Sequence, residues 1–192
     1  MRVVVGTRNA HKIEELQQIL SPLLPGVELV PAAGDAPDED GTTFYDNALI
    51  KARAAHAESG LPSVADDSGL EVSALEGAPG IHSARYSPSG LDADNTALVL
   101  SRMAGRDDRA AEFVCAAAYV TDRGEYVIER RWAGTLALEP SGGGGFGYDP
   151  IFIPEGRSVT AAQLSAHDKN DVSHRGKAFR ALAELMATLP RS

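Results

Sequence analysis

The sequence contains a single cysteine, Cys115, inside the apolar run FVCAAAYV. No disulfide can form within the chain, and a buried core thiol is the expectation. No apolar run approaches the ~18 residues of a membrane-spanning helix. Only VVV separates Arg2 from Gly6, too short for the apolar core of a secretory signal. The expectation is a cytoplasmic protein with no membrane partner. Positive charge is also scarce, with 18 Lys and Arg against 27 Asp and Glu and a net charge of −9. Nucleic-acid polymers are held largely through basic patches, so a polymer partner is set aside. A small anion stays open wherever local cations or a metal gather it. Acidity that serves only solubility accounts for the total equally well. The phosphate loop G-x-x-x-x-G-K-[ST] is absent too.

What is present fits one domain spanning residues 1–192, within the usual ~100–200 residues per domain. The composition, 43% hydrophobic and 23% charged, is that of an ordinary globular protein. Arg2–Gly6 (RVVVG) reads as a buried strand and Val27–Val30 as a second. Between them Ile13, Leu16, Ile19 and Leu20 recur at helical spacing, with Glu14 and Glu15 near the start and Pro22 and Pro25 as the stop. A helix is expected from Thr43 to Ser59, ended by Gly60. Ser63–Ala65 and LEVSAL read as two short strands flanking an acidic turn, DDSG. GAPGIHSARYSPSG reads as a loop, and a helix follows from about Ala93 to Met103. AEFVCAAAYVT and YVIERRWAG form a long hairpin, TLAL extends it, and PIFIP is a short strand. The last helix, SHRGKAFRALAELMATL, has Ser173 as its cap. The pattern is α/β with a mixed sheet.

Five stretches carry candidate chemistry. GTRNAHK (Gly6–Lys12) leads from a strand into a helix start, where unpaired N–H groups suit a phosphate. Thr7, Arg8, Asn9, Ala10, His11 and Lys12 form that candidate cradle. A plain helix cap by Thr7 or Asn9 is the competing reading. ADDSG places Asp66 and Asp67 side by side, a costly arrangement unless something positive lies close. A divalent metal would relieve it, and one carboxylate could serve as a general base. Glu39 is a further candidate ligand, and a solvated turn is the bland alternative. Asn47 and Lys51 are four apart and share a helix face, for which a plain exposed polar face is the competing reading. In SGGGGFGYDPIFIP, Phe146 stands between two glycines, so its ring could meet a flat partner such as a purine. The competing reading there is a flexible linker, although such linkers rarely carry Phe and Tyr. Lys169, His174 and Arg175 crowd a helix start, the disfavoured end of the dipole for cations. That placement hints at an anion or a hydrogen-bonding base edge, with ordinary surface residues the competing reading.

In this order, TRNAHK, EDGTTFYDNALIKA, ADDSGLEVSALEGAPGIHSARYS, GGFGYDPIFIP and SHRGKAF resemble the inosine triphosphate pyrophosphatase family over nearly the whole chain. The resemblance implies a long curved mixed β-sheet with helices, two lobes and a central cleft. It implies hydrolysis of ITP, dITP or XTP to the monophosphate and pyrophosphate, a Mg²⁺ requirement and a homodimer. Carried over by motif, Thr7–Lys12 take the triphosphate. Glu39 and Asp67 hold the metal, with Asp40 the alternative to Glu39. Asp67 also accepts a proton, and Ser68 and Lys51 meet the substrate. Phe146, Gly147, Tyr148 and Asp149 form the base-side loop, and Lys169, His174 and Arg175 read the purine. Asp46 stands where relatives often carry Glu, which leaves open whether it helps the metal. Rival readings are a pyrophosphatase for modified pyrimidine or guanine nucleotides and a nucleotide sensor without hydrolysis.

Overall fold

A computed structural model describes residues 1–189. Six strands form one sheet in the order β2-β1-β3-β4-β5-β6. β1 (Arg2–Val5) pairs in parallel with β2 (Glu28–Pro31) and with β3 (Ser63–Val72), whereas β5 (Gly124–Leu136) pairs antiparallel with β6 (Phe152–Pro154). β4 (Ala110–Thr121) lies between β3 and β5. The helices are α1 (Ala10–Leu23), α2 (Phe44–Ser59), α3 (Asp92–Arg102), α4 (Ala166–Val172) and α5 (His174–Thr188). The fold is therefore α/β with a mixed sheet, as expected.

The chain's contacts group into two compact units. The first holds Met1–Asp67, Cys115–Arg130 and the described residues from Arg175 onward. Its core joins Val3 and Val5 of β1, Leu16, Ile19 and Leu20 of α1, Val64 of β3, Cys115 and Ala117 of β4, and Phe179 and Leu182 of α5. Cys115 is buried, as its sequence context indicates. The second unit holds Ser68–Val114 and Arg131–His174. Its core is more aromatic: Phe113, Trp132, Tyr148 and Phe152 pack with Leu70, Val72, Val99 and Ile151. β3 gives Val64 to the first core and Leu70 and Val72 to the second. Among the described residues, no helix is long and apolar enough to cross a membrane.

Several local expectations are corrected. Ser63–Val72 is one ten-residue strand, not two strands about an acidic turn. Asp66 and Asp67 sit inside it because cations and an amide neutralise them there. α1 runs past Pro22 and ends at Leu23. Pro22 cannot donate to the carbonyl four residues back, so the cost falls on the last turn of the helix alone. GAPGIHSARYSPSG contains a 3-10 segment, Gly80–Arg85, within the stretch read as loop. α4 had no counterpart in the periodicity, being only seven residues long and capped by Ser165. α2 begins after Thr43 and ends at Gly60, whose φ of 66° is the left-handed cap. Asp46 belongs to that helix start. Its N–H donates to Thr43 Oγ1, and its carboxylate accepts the Thr43 hydroxyl at 2.8 Å. The side chain is thus engaged at the cap.

Phe179 is fully buried in the first core. Phe179→Ala should cost ~3–5 kcal/mol, read as a lower urea midpoint at unchanged slope.

Candidate active site

Asp66 is the most buried charge of the first unit, with 0% of its surface exposed. Its Oδ2 accepts from Lys12 Nζ at 3.0 Å and from Arg175 Nη2 at 3.2 Å and Nε at 3.3 Å. Arg175, the second residue of α5, also donates from Nη1 to Glu15 of α1 at 2.7 Å. Burial alone would raise the Asp66 carboxyl, but Lys12, Arg175 and Lys51 outweigh it and hold the group far below the usual carboxylate range. The other oxygen, Asp66 Oδ1, is buried without a hydrogen-bond partner among the described residues.

Asp67 next door has a different shell. Lys51 Nζ donates to its Oδ1 at 2.7 Å, and Asn47 Nδ2 donates to its Oδ2 at 3.3 Å. Lys51 Nζ also lies 3.3 Å from Glu39 Oε2. The helical i, i+4 pair of α2 therefore lands on one carboxylate, as the shared face requires. Asn47 is itself steered by Gly41, whose N–H donates to Asn47 Oδ1 at 2.9 Å. A Cβ on Gly41 would stand 2.5 Å from that oxygen, so this approach needs glycine. Burial pushes the Asp67 carboxyl up, and the charge and hydrogen bond of Lys51 only partly pull it back. On Lys51, burial acts downward, yet Asp67, Asp66 and Glu39 leave its pKa raised.

The cluster gathers four carboxylates, Glu15, Glu39, Asp66 and Asp67, around three cations, Lys12, Lys51 and Arg175. Its carboxylate oxygens are hard donors of the kind Mg²⁺ takes; the buried oxygen without a partner among the described residues belongs to Asp66, not to Glu39 or Asp67. Among the described residues, no group of three or more His, Cys, Asp or Glu is placed to hold a metal ion. Mg²⁺ does not require one, because it commonly binds through one or two carboxylates plus waters and substrate phosphates. A cation held by Glu39 and Asp67 would compete with the Lys51 ammonium for the same oxygens.

The Thr7–Lys12 stretch enters α1. Asn9 caps the helix, its Oδ1 accepting the Lys12 N–H at 3.2 Å, and Thr7 Oγ1 accepts the Asn9 N–H at 3.3 Å. Arg8, Asn9, Ala10 and His11 are exposed. Capping and a phosphate cradle are compatible here, since Asn9 claims one N–H only.

In the second unit, Asp149 and Lys169 form a buried pair at 2.6 Å. Asp149 Oδ2 also accepts the Phe146 N–H at 2.9 Å, and Lys169 Nζ stands 5.0 Å from the centre of the Phe146 ring. A Cβ on Gly145 would fall 2.1 Å from that same Asp149 oxygen, and the residue has φ 69°. Gly142, at φ 88°, would likewise clash with the Ala162 backbone at 2.7 Å. The glycine run is therefore a folded loop, not a linker. Phe146 is half-buried. Tyr148 turns into the core, its hydroxyl donating to the Ser83 carbonyl at 2.8 Å. His174 is buried too, stacked on Phe113 at 4.7 Å between ring centres.

Of the residues singled out in the sequence, Lys12, Glu39, Lys51, Asp67 and Arg175 meet in the first unit. Phe146, Gly147, Asp149 and Lys169 cluster in the second, with His174 in its aromatic core and Ser68 at its first position. Sequence reasoning missed Glu15 as the partner of Arg175 and Asp66 as the hub. The adjacency of two aspartates pointed toward Asp66; nothing local pointed to a bond spanning 160 positions.

The linkage between Asp66 and pH has a definite sign. Its folded pKa is depressed, so its stabilisation is complete above the unfolded value of ~3.9 and is lost as pH falls below that. Asp66→Asn should destabilise the protein at pH 7 by ~3–5 kcal/mol, because Arg175 is left buried with one carboxylate fewer. In chemical denaturation the gap between variant and wild type should narrow below about pH 4.

Comparison with known proteins places this chain in a family. The model of the Ham1 family matches residues 3–185. The dITP/XTP pyrophosphatase of Leifsonia xyli is 48% identical over 195 residues, covering 100% of this chain and 98% of that protein. The structure of a dITP/XTP pyrophosphatase from Mycobacterium abscessus is 48% identical with a TM-score of 0.76, covering 95% of this chain and 98% of the other. A HAM1 protein from Coxiella burnetii, 37% identical, superposes with a TM-score of 0.89 over 98% of this chain and 100% of its own. The chain belongs to the Ham1 family.

Proposed function

We propose that this protein is a pyrophosphohydrolase of non-standard purine nucleoside triphosphates, cleaving ITP, dITP or XTP to the monophosphate and pyrophosphate. The observation that carries the reading is the Lys51 ammonium shared by Glu39 and Asp67, beside a fully buried Asp66 that binds Lys12. Family membership and the names borne by the relatives support the substrate class. A Mg²⁺ requirement, a cytoplasmic setting and a homodimer belong to the same reading.

The first unit's cluster supplies the hydrolytic chemistry. Lys12 and Lys51 offset the negative charge of the triphosphate, helped by the N–H groups at the start of α1. Arg175, bonded to Asp66 and Glu15, keeps Asp66 ionised and Lys12 in place. Asp67 accepts the proton of the attacking water as the water oxygen bonds the α-phosphorus and pyrophosphate leaves. Its burial-raised basicity suits that role better than an exposed aspartate would. Mg²⁺, held by Glu39 and Asp67, would supply charge neutralisation at the phosphate oxygens.

The second unit's loop reads the base. Phe146 offers its ring, and Lys169, ordered by Asp149, offers N–H donors. Hypoxanthine and xanthine carry a 6-oxo acceptor where adenine carries an amino donor. Adenine would leave a buried donor unpaired, at a cost of ~1–3 kcal/mol.

The test is pyrophosphate release from ITP, dITP, XTP, ATP, GTP and dTTP, with and without Mg²⁺, by wild type and Asp67→Asn. Metal-dependent release favouring the inosine and xanthosine substrates is expected, with turnover falling at least ~100-fold in the variant. The variant deprives buried Lys51 of its 2.7 Å partner but leaves it Glu39, so the metal-free variant should melt below wild type while remaining folded. Equal kcat/KM for ITP, ATP and GTP would refute the base assignment. Near-normal turnover in the variant would refute the role of Asp67.

A further inference from the structure

The base-side loop is gripped by a helix that none of the sequence motifs includes. The Gly147 N–H donates to Asp92 Oδ2 at 2.7 Å. Thr96 Oγ1 reaches the carbonyl oxygen of the same glycine at 3.4 Å. Asp92 and Thr96 are i, i+4 on α3 and so share one face. Both backbone polar groups of Gly147 are thus engaged by that face. The peptide is also conformationally special, with Gly147 at φ 60°.

The neighbours of Gly147 are tied as well. The Tyr148 hydroxyl is anchored on the Ser83 carbonyl, while Ser83 Oγ accepts the Leu70 N–H at 2.9 Å and donates to the Gly80 carbonyl at 2.6 Å. Phe146 is tied through its N–H to Asp149, which holds Lys169. Of these restraints, the contact from Asp92 alone joins the loop to a charged side chain outside the stretch 141–169. A carboxylate–amide bond of this kind is roughly twice as strong as a neutral one. Nor is Asp92 consumed as a helix cap, since the cap position is Leu91, which makes no side-chain cap bond.

We propose that Asp92 is a positioning residue for purine recognition, seconded by Thr96. It holds the Gly147 peptide in place and thereby sets where the Phe146 ring and the Asp149–Lys169 pair stand. The inference rests on the base-reading role given above to that loop. Because Asp92 acts through the loop, its loss weakens substrate binding and leaves the phosphate chemistry in place.

Two substitutions separate this from a general effect on α3. Asp92→Ala and Asp92→Asn both remove the charge from the first turn of the helix, but only Asn keeps an oxygen able to accept the Gly147 N–H. Asp92→Ala should raise KM for ITP roughly tenfold, with kcat within about twofold of wild type, and Asp92→Asn should fall between that variant and wild type. Without nucleotide, hydrogen exchange at the Gly147 amide should be faster in Asp92→Ala than in wild type or Asp92→Asn. An unchanged KM, or an Asn variant as impaired as the Ala variant, overturns the proposal. If Asp92→Ala does not fold, Thr96→Val removes the contact to the Gly147 carbonyl and should raise KM in the same direction; no rise overturns it. A wild-type protein that releases no pyrophosphate from any purine triphosphate refutes the functional reading instead. The Gly147 exchange rates then still decide whether Asp92 holds the loop, and equal rates in wild type and Asp92→Ala overturn that hold.

Discussion

The buried carboxylate of Asp66 is the constraint on which the first unit depends. An ion removed from water is tolerable only where opposite charges and hydrogen bonds replace its hydration. Asp66 obtains them from two separate helices, Lys12 of α1 and Arg175 of α5. Those helices pack Leu16, Ile19, Phe179 and Leu182 into the core that also holds β1 and β3. Apolar burial brings the helices together, and the aspartate imposes the registry that sets each cation in place. Glu15 completes the arrangement by sharing Arg175.

The same strand gives its next residue the opposite treatment. Asp66 is held far below the ordinary carboxylate range by three cations, whereas burial raises Asp67 despite Lys51. Two adjacent carboxyls whose environments drive them apart are the usual mark of divided roles. One is a fixed charge that organises cations; the other is a base placed where a proton can be taken. The strand makes the division possible, because neighbouring side chains leave by opposite faces.

The second unit solves a different problem, that of holding an irregular loop still. A stretch with four successive glycines has many conformations to lose. Here the Asp149 carboxylate occupies the space a Gly145 side chain would need, and the Ala162 backbone occupies that of Gly142. The glycines permit these approaches, and hydrogen bonds from Asp92, Thr96 and Asp149 select one conformation. Preorganisation of this kind reduces the ordering cost that a ligand would otherwise meet.

Much of this was legible in the sequence. Periodicity located α1, α2, α3 and α5, β-branched runs located β1 and the β4–β5 hairpin, and motif order identified the family. The i, i+4 spacing put Asn47 and Lys51 on one face before any contact was known. Local composition misled at ADDSG, where turn-forming residues lie inside a strand, because propensity takes no account of the distant cations that neutralise them. It also passed over α4, too short to show a period. Only the tertiary structure decided that Arg175 meets Asp66 and Glu15, that Asp46 serves a cap, and that Asp92 grips Gly147. Chemistry-bearing residue types are written along the chain, whereas the partner that sets each one's charge or position comes from far away and is chosen by packing.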